Sequence, residues 1–540
     1  MKTTDSDIVI VGSGVSGALI AYHLSKQGRK VTLLEAGSSV SRLKSLEQYY
    51  SSVPKFPECA YQEKPHAPFP KTLNDHYFTQ NGPVPFKSTY LRVVGGTTWH
   101  WLGTCLRLLP DDFNMQSKFG RGVDWPISYD DLEPWYTKAE QELGVAGCHT
   151  EDLGSPRKQN YPMEEIPFSK LDEFVKQGLS GKPYSLMHTP QARNSIAYDN
   201  RSPCCYSASC VPICPVQAKY DATIHIKKAQ TLGTELIENA VVFKLEVDSE
   251  TGQITTALFK KPDGTIEQIK GKVFVLAANA IETTKILLMS KSNQFPNGLA
   301  NTSDQVGRNL MDHPVTLSYA FAPVPIFPYN NPLSTSGFEE LRNGNFRKEF
   351  AAYRIEVHND GWTFPTGGLN PYVKELIEQG LTGSGLAQTY KDGVSKQICF
   401  AALTEQLPEE HNRVELDLNK FDAIGIPHPK ITYALNSYEE KSFQESKNKM
   451  EEILKHLNCT SVRSVDTFFG AGHILGTHRM GNHAKTSVVN SDLQCHDHKN
   501  LFLVGGGCMP TAGTANPTLT IAALALKCGE HISQKYLERK

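Results

Sequence analysis

The first 36 residues constrain the fold more than any other part of this chain. Residues 7–11 (DIVIV) are β-branched and apolar, as expected for a parallel strand that is buried on both faces. Gly12, Gly14 and Gly17 follow in a GxGxxG pattern. A helical stretch, a second apolar strand and the acid Glu35 come next. Strand, glycines, helix, strand and acid in this order predict a dinucleotide-binding unit.

Each position in this motif has a physical role. Gly12 permits a tight turn, Gly14 lets the backbone approach a pyrophosphate, and Gly17 lets helix and strand pack closely. The helix N-terminus faces the phosphates, and Glu35 accepts hydrogen bonds from the ribose. The motif alone does not separate FAD from NAD. The predicted cofactor-binding residues of this segment are Gly12, Gly14, Val15, Ser16, Gly17, Glu35 and Ala36.

Length and charge narrow the class of protein. A chain of 540 residues is too long for one simple core, so two domains are expected. The formal net charge of -2 provides no basic field, and nucleic-acid binding is not expected. No window has the roughly 18–20 apolar residues of a membrane helix, and the start MKTTDSD does not resemble a signal peptide. Membrane association or export is therefore expected to depend on a partner.

Later segments combine glycines with hydroxyl, amide and aromatic side chains. Residues 92–101 read RVVGGTTWHW, and residues 275–283 read VLAANAIET. Residues 306–314 read VGRNLMDHP, and residues 472–481 read GHILGTHRMG. The last run, residues 501–518, reads LFLVGGGCMPTAGTANPT. In this order the segments resemble the glucose–methanol–choline (GMC) family of flavoprotein oxidoreductases.

The resemblance extends from residue 7 to about residue 530. In particular the chain resembles the FAD- and iron–sulfur-containing large subunits of bacterial membrane-bound sugar dehydrogenases. This implies an α/β fold, with a Rossmann-like FAD-binding domain built from discontinuous segments. It also implies an α+β substrate domain with a mostly antiparallel sheet. The implied domains are residues 1–312 (first FAD-binding part, with the cysteine loop), 313–464 (substrate binding) and 465–540 (second FAD-binding part, with the catalytic residues).

The resemblance also implies a catalytic pair. The general base aligns with His473 and its partner with Asn516. A neutral histidine can take the hydroxyl proton, and asparagine can donate a hydrogen bond to the same oxygen while the flavin accepts the hydride. His478 is the competing histidine and is expected to be mainly structural. Several relatives have Asn where this chain has Gly472, which leaves the identity of the sugar open.

Further flavin contacts follow from the same resemblance. In some relatives a histidine in the GGxxxHW stretch is covalently attached to the flavin 8α carbon. His100 is the candidate here, and a packed histidine between two tryptophans is the alternative. The further predicted FAD-binding residues are Arg92, Gly95, Gly96, Thr98, Trp99, His100, Val242, Ala278, Gly506, Asn516, Pro517 and Thr518.

Four cysteines lie within eleven residues: Cys204, Cys205, Cys210 and Cys214. Neighbouring side chains of an extended backbone point in opposite directions, so Cys204 and Cys205 are not expected to bind one cluster. The three ligands Cys204, Cys210 and Cys214 suit a [3Fe-4S] cluster, and the resemblance points the same way. A zinc site and a disulfide knot are the alternatives. Cys205 is left for another use, such as a disulfide with Cys148.

These features predict an FAD-dependent dehydrogenase that oxidises an alcohol group of a sugar, polyol or sugar acid. Electrons would leave through the [3Fe-4S] cluster to a multihaem cytochrome c subunit, and a small chaperone-like subunit is a further expected partner. Those partners imply the periplasmic face of the inner membrane, although a cytoplasmic enzyme stays open. An oxygen-dependent oxidase with a structural cysteine cluster and a non-catalytic flavin-binding subunit are the alternatives. Arg354, which could favour an acid sugar, is interpreted as a surface charge.

Overall fold

The computed structural model describes residues 3–51, 77–211 and 213–536. In these ranges no helix is both long enough and apolar enough to cross a membrane. The strands are β1 (Thr3–Val11), β2 (Val31–Leu34), β3 (Thr79–Gln80), β4 (Leu186–His188), β5 (Glu235–Ile237), β6 (Val241–Val247), β7 (Ile254–Lys260), β8 (Ile266–Leu276), β9 (Pro314–Phe321), β10 (Ser334–Phe338), β11 (Tyr353–His358), β12 (Gln397–Thr404), β13 (Arg413–Phe421), β14 (Pro427–Thr432), β15 (Thr460–Ser464), β16 (Phe469–Gly470) and β17 (Leu501–Leu503). The helices are α1 (Val15–Ser25), α2 (Arg42–Ser51), α3 (Met115–Phe119), α4 (Tyr129–Leu143), α5 (Lys170–Gly178), α6 (Thr223–Thr231), α7 (Ala280–Met289), α8 (Thr363–Thr366), α9 (Leu369–Glu378), α10 (Gly383–Lys396), α11 (Ser437–His456) and α12 (Thr518–Tyr536).

The first sheet contains the N-terminal motif. Its strands lie in the order β5-β2-β1-β8-β7-β6, and β17 pairs with the end of β8. The strands β5, β2, β1, β8 and β17 are parallel, whereas β7 and β6 are antiparallel. Ile8, Val9 and Ile10 are fully buried, and α1 packs on β1 and β2 and against α6 and α12. The run of apolar residues in β1 therefore belongs to a covered parallel sheet, as the sequence predicts.

The second sheet has the order β15-β9-β12-β11-β10-β4, with β16 also paired to β9. All of these pairs are antiparallel, which confirms the predicted antiparallel sheet. Ile355 of β11 and Phe400 of β12 pack in one apolar cluster with Met450 and Leu454 of α11. One face of this sheet is therefore covered by helices.

Arg354 lies on β11 within this sheet and is 0% exposed. Its guanidinium donates to Glu339 Oε1 at 2.7 Å and to Thr189 Oγ1 at 2.7 Å. The interpretation of Arg354 as a surface charge is wrong. Because every residue of β11 is buried, a charged side chain on this strand needs internal partners.

Sheet membership crosses the boundaries at residues 312 and 464. Strand β4 precedes residue 312 but pairs with β10, and β16 follows residue 464 but pairs with β9. The strands β13 and β14, from the middle segment, form a third sheet with β3. The division into 1–312, 313–464 and 465–540 stays a prediction, and the second sheet draws strands from all three segments.

Candidate active site

A cavity of about 1370 Å³ is lined by residues of the first and second sheets. From the first sheet it receives Gly12, Glu35 and Ala277, which directly follow β1, β2 and β8. From the second sheet it receives Glu356 of β11 and Ala401 of β12. In open α/β sheets, ligands bind in the crevice outside the carboxyl ends of the strands. The cavity begins at that edge and reaches the second sheet.

The glycine loop of the first motif is shaped for close approach. Gly12 has φ +102°, and a Cβ atom on Gly17 would lie 1.9 Å from the Gly12 carbonyl oxygen. Gly17 therefore permits the contact between helix and strand. A Cβ atom on Gly14 would meet nothing within 4 Å, and Gly14 caps α1 without a side-chain hydrogen bond. The N-terminus of α1 thus presents backbone donors where a pyrophosphate would bind.

Glu35 is held by the same loop. Its Oε2 accepts from Ser13 N at 3.0 Å and from Ser13 Oγ at 2.6 Å, and its Oε1 accepts from Gly37 N at 2.9 Å. Burial raises the pKa of Glu35, and the hydrogen bonds from Ser13 and Gly37 oppose this shift. The carboxyl group lines the cavity in a fixed orientation, as expected for a group that binds ribose hydroxyls.

Most predicted cofactor residues line the cavity. Gly17, Gly95 and Trp99 do not. Gly95 N donates to Ser13 Oγ at 3.2 Å and so joins two cofactor loops. Trp99 Nε1 donates to the Val94 carbonyl at 2.9 Å, so Trp99 supports the loop that contains the cavity residues and does not line the cavity itself. The predicted residues that line the cavity are Gly12, Gly14, Val15, Ser16, Glu35, Ala36, Arg92, Gly96, Thr98, His100, Val242, Ala278, Gly506, Asn516, Pro517 and Thr518.

His473 lines the cavity and forms a pair with His313. The Nδ1 atoms of the two rings lie 2.9 Å apart, and the ring planes are nearly perpendicular at 87°. Burial lowers the pKa of His313 to about 4. Burial, followed by the charge of His313, lowers the pKa of His473 well below 6.5. Both rings are therefore neutral near pH 7.

The hydrogen bonds of the pair determine which ring nitrogen has the proton. His313 Nε2 lies 2.8 Å from the Gly513 carbonyl oxygen, which can only accept. His313 Nε2 is therefore the donor, and the Nδ1 atom of this neutral ring is an acceptor. His473 Nδ1 must donate to it, which leaves His473 Nε2 without a proton. The pair thus prepares His473 Nε2 to accept a proton.

Asp312 fixes the backbone of both histidines. Its Oδ1 accepts from His473 N at 3.0 Å and from His313 N at 2.8 Å. Ser88 Oγ donates to Asp312 Oδ2 and accepts from Gly472 N at 2.7 Å. Burial raises the pKa of Asp312 to about 7. Asp312 therefore binds the backbone of His473 directly and the backbone of Gly472 through Ser88.

Asn516 lies in the loop before α12 and lines the same cavity. Its side-chain oxygen has no hydrogen-bond partner among the described residues. This oxygen can accept a hydrogen bond from a donor in the cavity, such as a substrate hydroxyl group. The predicted pair His473 and Asn516 therefore lines one cavity, with the ring of His473 oriented by His313 and the amide of Asn516 available.

We expect the acid limb of the pH profile to lie below pH 6.5. A general base must be neutral, and the pKa of His473 is lowered below its ordinary value of 6.5, so the neutral form persists to lower pH. The rate of flavin reduction should be flat near pH 7 and fall only as the pH drops through the lowered pKa. Anaerobic stopped-flow measurements across this range would check it. An acid limb at or above pH 7 would contradict the assignment.

His478 differs from His473 in its surroundings. It is 0% exposed, and its backbone N donates to the Gly507 carbonyl at 2.9 Å. A Cβ atom on Gly507 would lie 2.0 Å from His478 Cε1, so the ring packs directly on that glycine. The ring is absent from the residues that line the cavity. These contacts agree with the mainly structural role that the sequence predicts.

The cysteine loop brings three of its four thiols into a common environment. Cys210 and Cys214 are buried, Cys204 is half-buried, and Cys205 is exposed. Burial raises the pKa of Cys204 to about 11, and the charges of Cys210 and Cys214 contribute to the shift. The three thiols therefore interact electrostatically. Cys204, Cys210 and Cys214 are therefore partly or fully buried, whereas Cys205 faces solvent.

Cys148 and Cys205 are both free thiols, so the disulfide suggested as one use of Cys205 is not formed. Cys148 lies instead beside Glu151 and His188, with the potential ligand atoms within 4.8 Å of one another. His188 Nδ1 and Glu151 Oε1 lie within hydrogen-bond distance of each other, at 2.9 Å. The neighbours of Cys148 are therefore Glu151 and His188 rather than Cys205.

Lys219 connects the cysteine loop to the cofactor segment. Its Nζ donates to the carbonyl oxygens of Cys210 at 2.9 Å, Trp99 at 3.1 Å and Trp101 at 2.5 Å. Burial lowers the pKa of Lys219 to about 8, although the nearby cysteines oppose the shift. Ser209 of the cysteine loop also lines the cavity. The loop is therefore attached directly to the wall of the predicted flavin site.

The sequence motifs alone do not predict the roles of several of these residues. His313 and Asp312 belong to the quoted VGRNLMDHP segment, and that motif was the available signal for them. Ser88 and Lys219 stand in segments without a recognisable motif. Their contacts join positions far apart in the chain, which spacing alone does not indicate.

Comparisons with known proteins agree with this geometry. Models described as GMC oxidoreductase match residues 185–315 and 408–525, and one described as FAD dependent oxidoreductase matches residues 7–45. The chain is 36% identical to the fructose dehydrogenase large subunit of Gluconobacter japonicus, over 98% of each chain. It is 26% identical to 2-methyl-1,2-propanediol dehydrogenase of Mycolicibacterium austroafricanum, over 98% of this chain and 96% of that protein. The crystal structure of pyridoxine 4-oxidase from Mesorbium loti superposes with a TM-score of 0.65, at 16% identity, over 99% of this chain and 100% of that one.

A mainly parallel sheet with a dinucleotide-binding motif, an antiparallel sheet and a cavity with an oriented histidine define a dinucleotide-binding oxidoreductase. The chain belongs to the GMC oxidoreductase family and is an FAD-dependent enzyme that acts on CH–OH groups.

Proposed function

We propose that the enzyme is a dehydrogenase that oxidises an alcohol group of a sugar, polyol or sugar acid, and that electrons leave through a [3Fe-4S] cluster. Lys219 joins the carbonyl oxygen of Cys210 to that of Trp101 in the cavity wall, and this attachment of the cysteine loop carries the proposal. An oxidase that reduces oxygen at the flavin needs no second electron carrier. A dehydrogenase with a protein electron acceptor does, so a thiolate site beside the cofactor favours the dehydrogenase.

The chain's own residues account for the proton transfers. When bound, FAD supplies the acceptor for a hydride. His473 Nε2 takes the proton of the substrate hydroxyl, while the amide of Asn516 donates a hydrogen bond to the same oxygen. His313 accepts from His473 Nδ1 across the 2.9 Å contact, which keeps the ring in position and leaves Nε2 free to take the proton. The alcohol thus loses one proton and one hydride and becomes a carbonyl compound.

Cys204, Cys210 and Cys214 would hold the cluster. Their common environment and the exposure of Cys205 support three ligands over four. A [3Fe-4S] cluster would supply a one-electron carrier between the flavin and an external acceptor. Lys219 places a buried cation against this loop and would stabilise the negative charge of the thiolates.

The proposed acceptor is a multihaem cytochrome c subunit, and a small chaperone-like subunit is the second proposed partner. The 36% identity to a protein named as a large subunit supports an assembly of several chains. We further propose that these partners hold the enzyme at the periplasmic face of the inner membrane. Covalent attachment of FAD to His100, which lines the cavity, belongs to the same proposal.

We expect protein purified anaerobically to contain about three iron atoms per chain and to show the paramagnetic signal of an oxidised three-iron cluster. Iron analysis would measure the iron content, and electron paramagnetic resonance spectroscopy would measure the signal. Flavin reduction by sugars, polyols and sugar acids would be tested in the same protein. Zinc and disulfides give no such signal. A flavin that these substrates reduce in protein that never contains iron, with rapid oxygen consumption, would favour the oxidase instead.

A further inference from the structure

Strand β11 has an unusual pattern for a buried strand. Tyr353, Ile355 and Val357 alternate with Arg354 and two further polar residues, and the whole strand is buried. The apolar set packs in the cluster beneath α5 and α11. Because side chains of a strand alternate between its faces, the polar set occupies the opposite face. A polar face that does not reach solvent must face other polar groups or a ligand site.

The polar face of β11 borders the cavity. Glu356 and His358 line it, and Asp360, two residues after the end of the strand, lines it as well. Glu356 pairs in register with Ala401 of β12, another lining residue. The neighbouring strand therefore contributes small apolar surface, whereas β11 contributes charged groups. We call Glu356, His358 and Asp360 the polar wall.

The polar wall is held from behind. Arg354, which does not line the cavity, forms an ion pair with Glu356 Oε1 and a 2.7 Å ion pair with Glu339 Oε1. Glu356 Oε2 faces His358 Nε2 at 3.7 Å, and His358 Nδ1 faces Asp360 Oδ1 at 3.6 Å. Although burial opposes it, the carboxylates of Asp360 and Glu356 raise the pKa of His358 to about 9.

These spacings leave hydrogen-bonding capacity unused. Neither ring nitrogen of His358 has a hydrogen-bond partner among the described residues, and the same holds for Asp360 Oδ1. Distances of 3.6 and 3.7 Å exceed a direct hydrogen bond, so another group can bridge them. A hydroxyl group can donate to a carboxylate and accept from an imidazolium at the same time.

The polar wall also lies near the proposed base. Glu356, Asp360 and His473 all line the same cavity. The rings of His358 and Phe364 are 5.9 Å apart, and Phe364 is 5.4 Å from Phe469, which precedes the His473 loop. Aromatic side chains therefore connect the polar wall to the reacting end of the cavity, and both phenylalanines line it.

We propose that Glu356, His358 and Asp360 bind hydroxyl groups of a neutral polyhydroxy substrate, a sugar or polyol, and that sugar acids are poorer substrates. This rests on the proposed function and narrows its substrate class. Two carboxylates accept from the hydroxyls, and the imidazolium donates. A substrate carboxylate would meet two like charges, and the one cation between them is already compensated.

Lys87 offers the opposing possibility. It lines the cavity, and its contacts are with a hydroxyl group, a carbonyl oxygen and an aromatic ring. Its Nζ donates to Thr467 Oγ1 and to the Phe468 carbonyl, both at 2.6 Å, and lies 4.4 Å from the centre of the Phe468 ring. These contacts hold the ammonium group at the Phe468 segment. If sugar acids are the substrates, Lys87 is the cation that would bind their carboxylate.

The test compares flavin reduction by fructose, glucose and sorbitol with reduction by gluconate, in the FAD-loaded enzyme. We expect a neutral compound to have the highest kcat/KM. Asp360→Asn should raise the KM for that compound by about tenfold to a hundredfold, because a hydrogen bond to a charged group is lost. The KM for gluconate should stay the same or fall. Glu349→Gln removes an exposed carboxylate of the same segment and should change neither value.

The outcomes separate this inference from the proposed function. Reduction by none of these substrates would overturn both. Preference for gluconate, lost in Lys87→Met, would overturn the polar wall and leave the dehydrogenase standing. An unchanged KM in Asp360→Asn, with normal flavin content, would also overturn it. Glu356→Gln is a weaker test, because it removes a partner of buried Arg354 and can disturb the fold. The substrate preference of the unaltered enzyme is the measurement that no folding defect can affect.

Discussion

Flavin reduction by substrate should fall by about 10²- to 10⁴-fold when His473 is replaced by alanine, because general base catalysis contributes that much. The structure leaves His473 Nε2 unprotonated and holds the ring through His313, so the variant removes a base that is ready to react. FAD binding should survive, because the glycine loop and Glu35 belong to other elements. Single-turnover stopped-flow measurements at saturating substrate would give the rate.

A matched histidine variant shows whether the loss is specific. His411 is exposed, with 58% of its side chain accessible, so His411→Ala should keep the full rate. A His473→Ala enzyme that reduces its flavin at the original rate would instead favour the non-catalytic flavin-binding subunit. The FAD content of each variant must be measured in parallel, because a loss of cofactor would also lower the rate.

The parts of the fold that the sequence predicts best are local. The strand, glycines and acid of the N-terminal motif lie within 36 residues, and each has a conformational requirement that few residue types meet. Gly12 at φ +102° and Gly17 against the Gly12 carbonyl show these requirements directly. The order of the later segments was sufficient to predict the family and a second, antiparallel sheet.

The parts that the sequence did not predict depend on distant contacts. His313 and His473 are 160 positions apart, and their ring contact depends on how the second sheet meets the flavin domain. Arg354 was misinterpreted for a related reason. An alternating strand is normally covered on one face only, so its charged residues suggest solvent. Here the polar face borders a cavity, and only the three-dimensional structure reveals that environment.

The thiol of Cys210, in the cysteine loop, is a proposed ligand of the cluster. With the proposed cluster, Cys210→Ser should eliminate the iron and, with it, electron transfer to the proposed cytochrome c acceptor, while the substrate still reduces the flavin. Cys210 is buried, and its carbonyl oxygen accepts from Lys219, so the loop itself should stay attached when the thiol alone is changed. Iron analysis, the rate of flavin reduction and the rate of cytochrome reduction would separate the two half-reactions.

Cys205→Ser is the matched control for this experiment. Cys205 belongs to the same loop but is exposed, and the charges that raise the pKa of Cys204 come from Cys210 and Cys214. We therefore expect it to keep the iron and the full rate with cytochrome. Loss of iron in both variants would indicate that Cys205 is also a ligand, so that all four cysteines hold the metal. Because a serine oxygen can also bind iron, Cys210→Ala is the second variant. Retention of iron in Cys210→Ala would show that the cluster is held elsewhere, and the electron route next to the flavin would have to be abandoned.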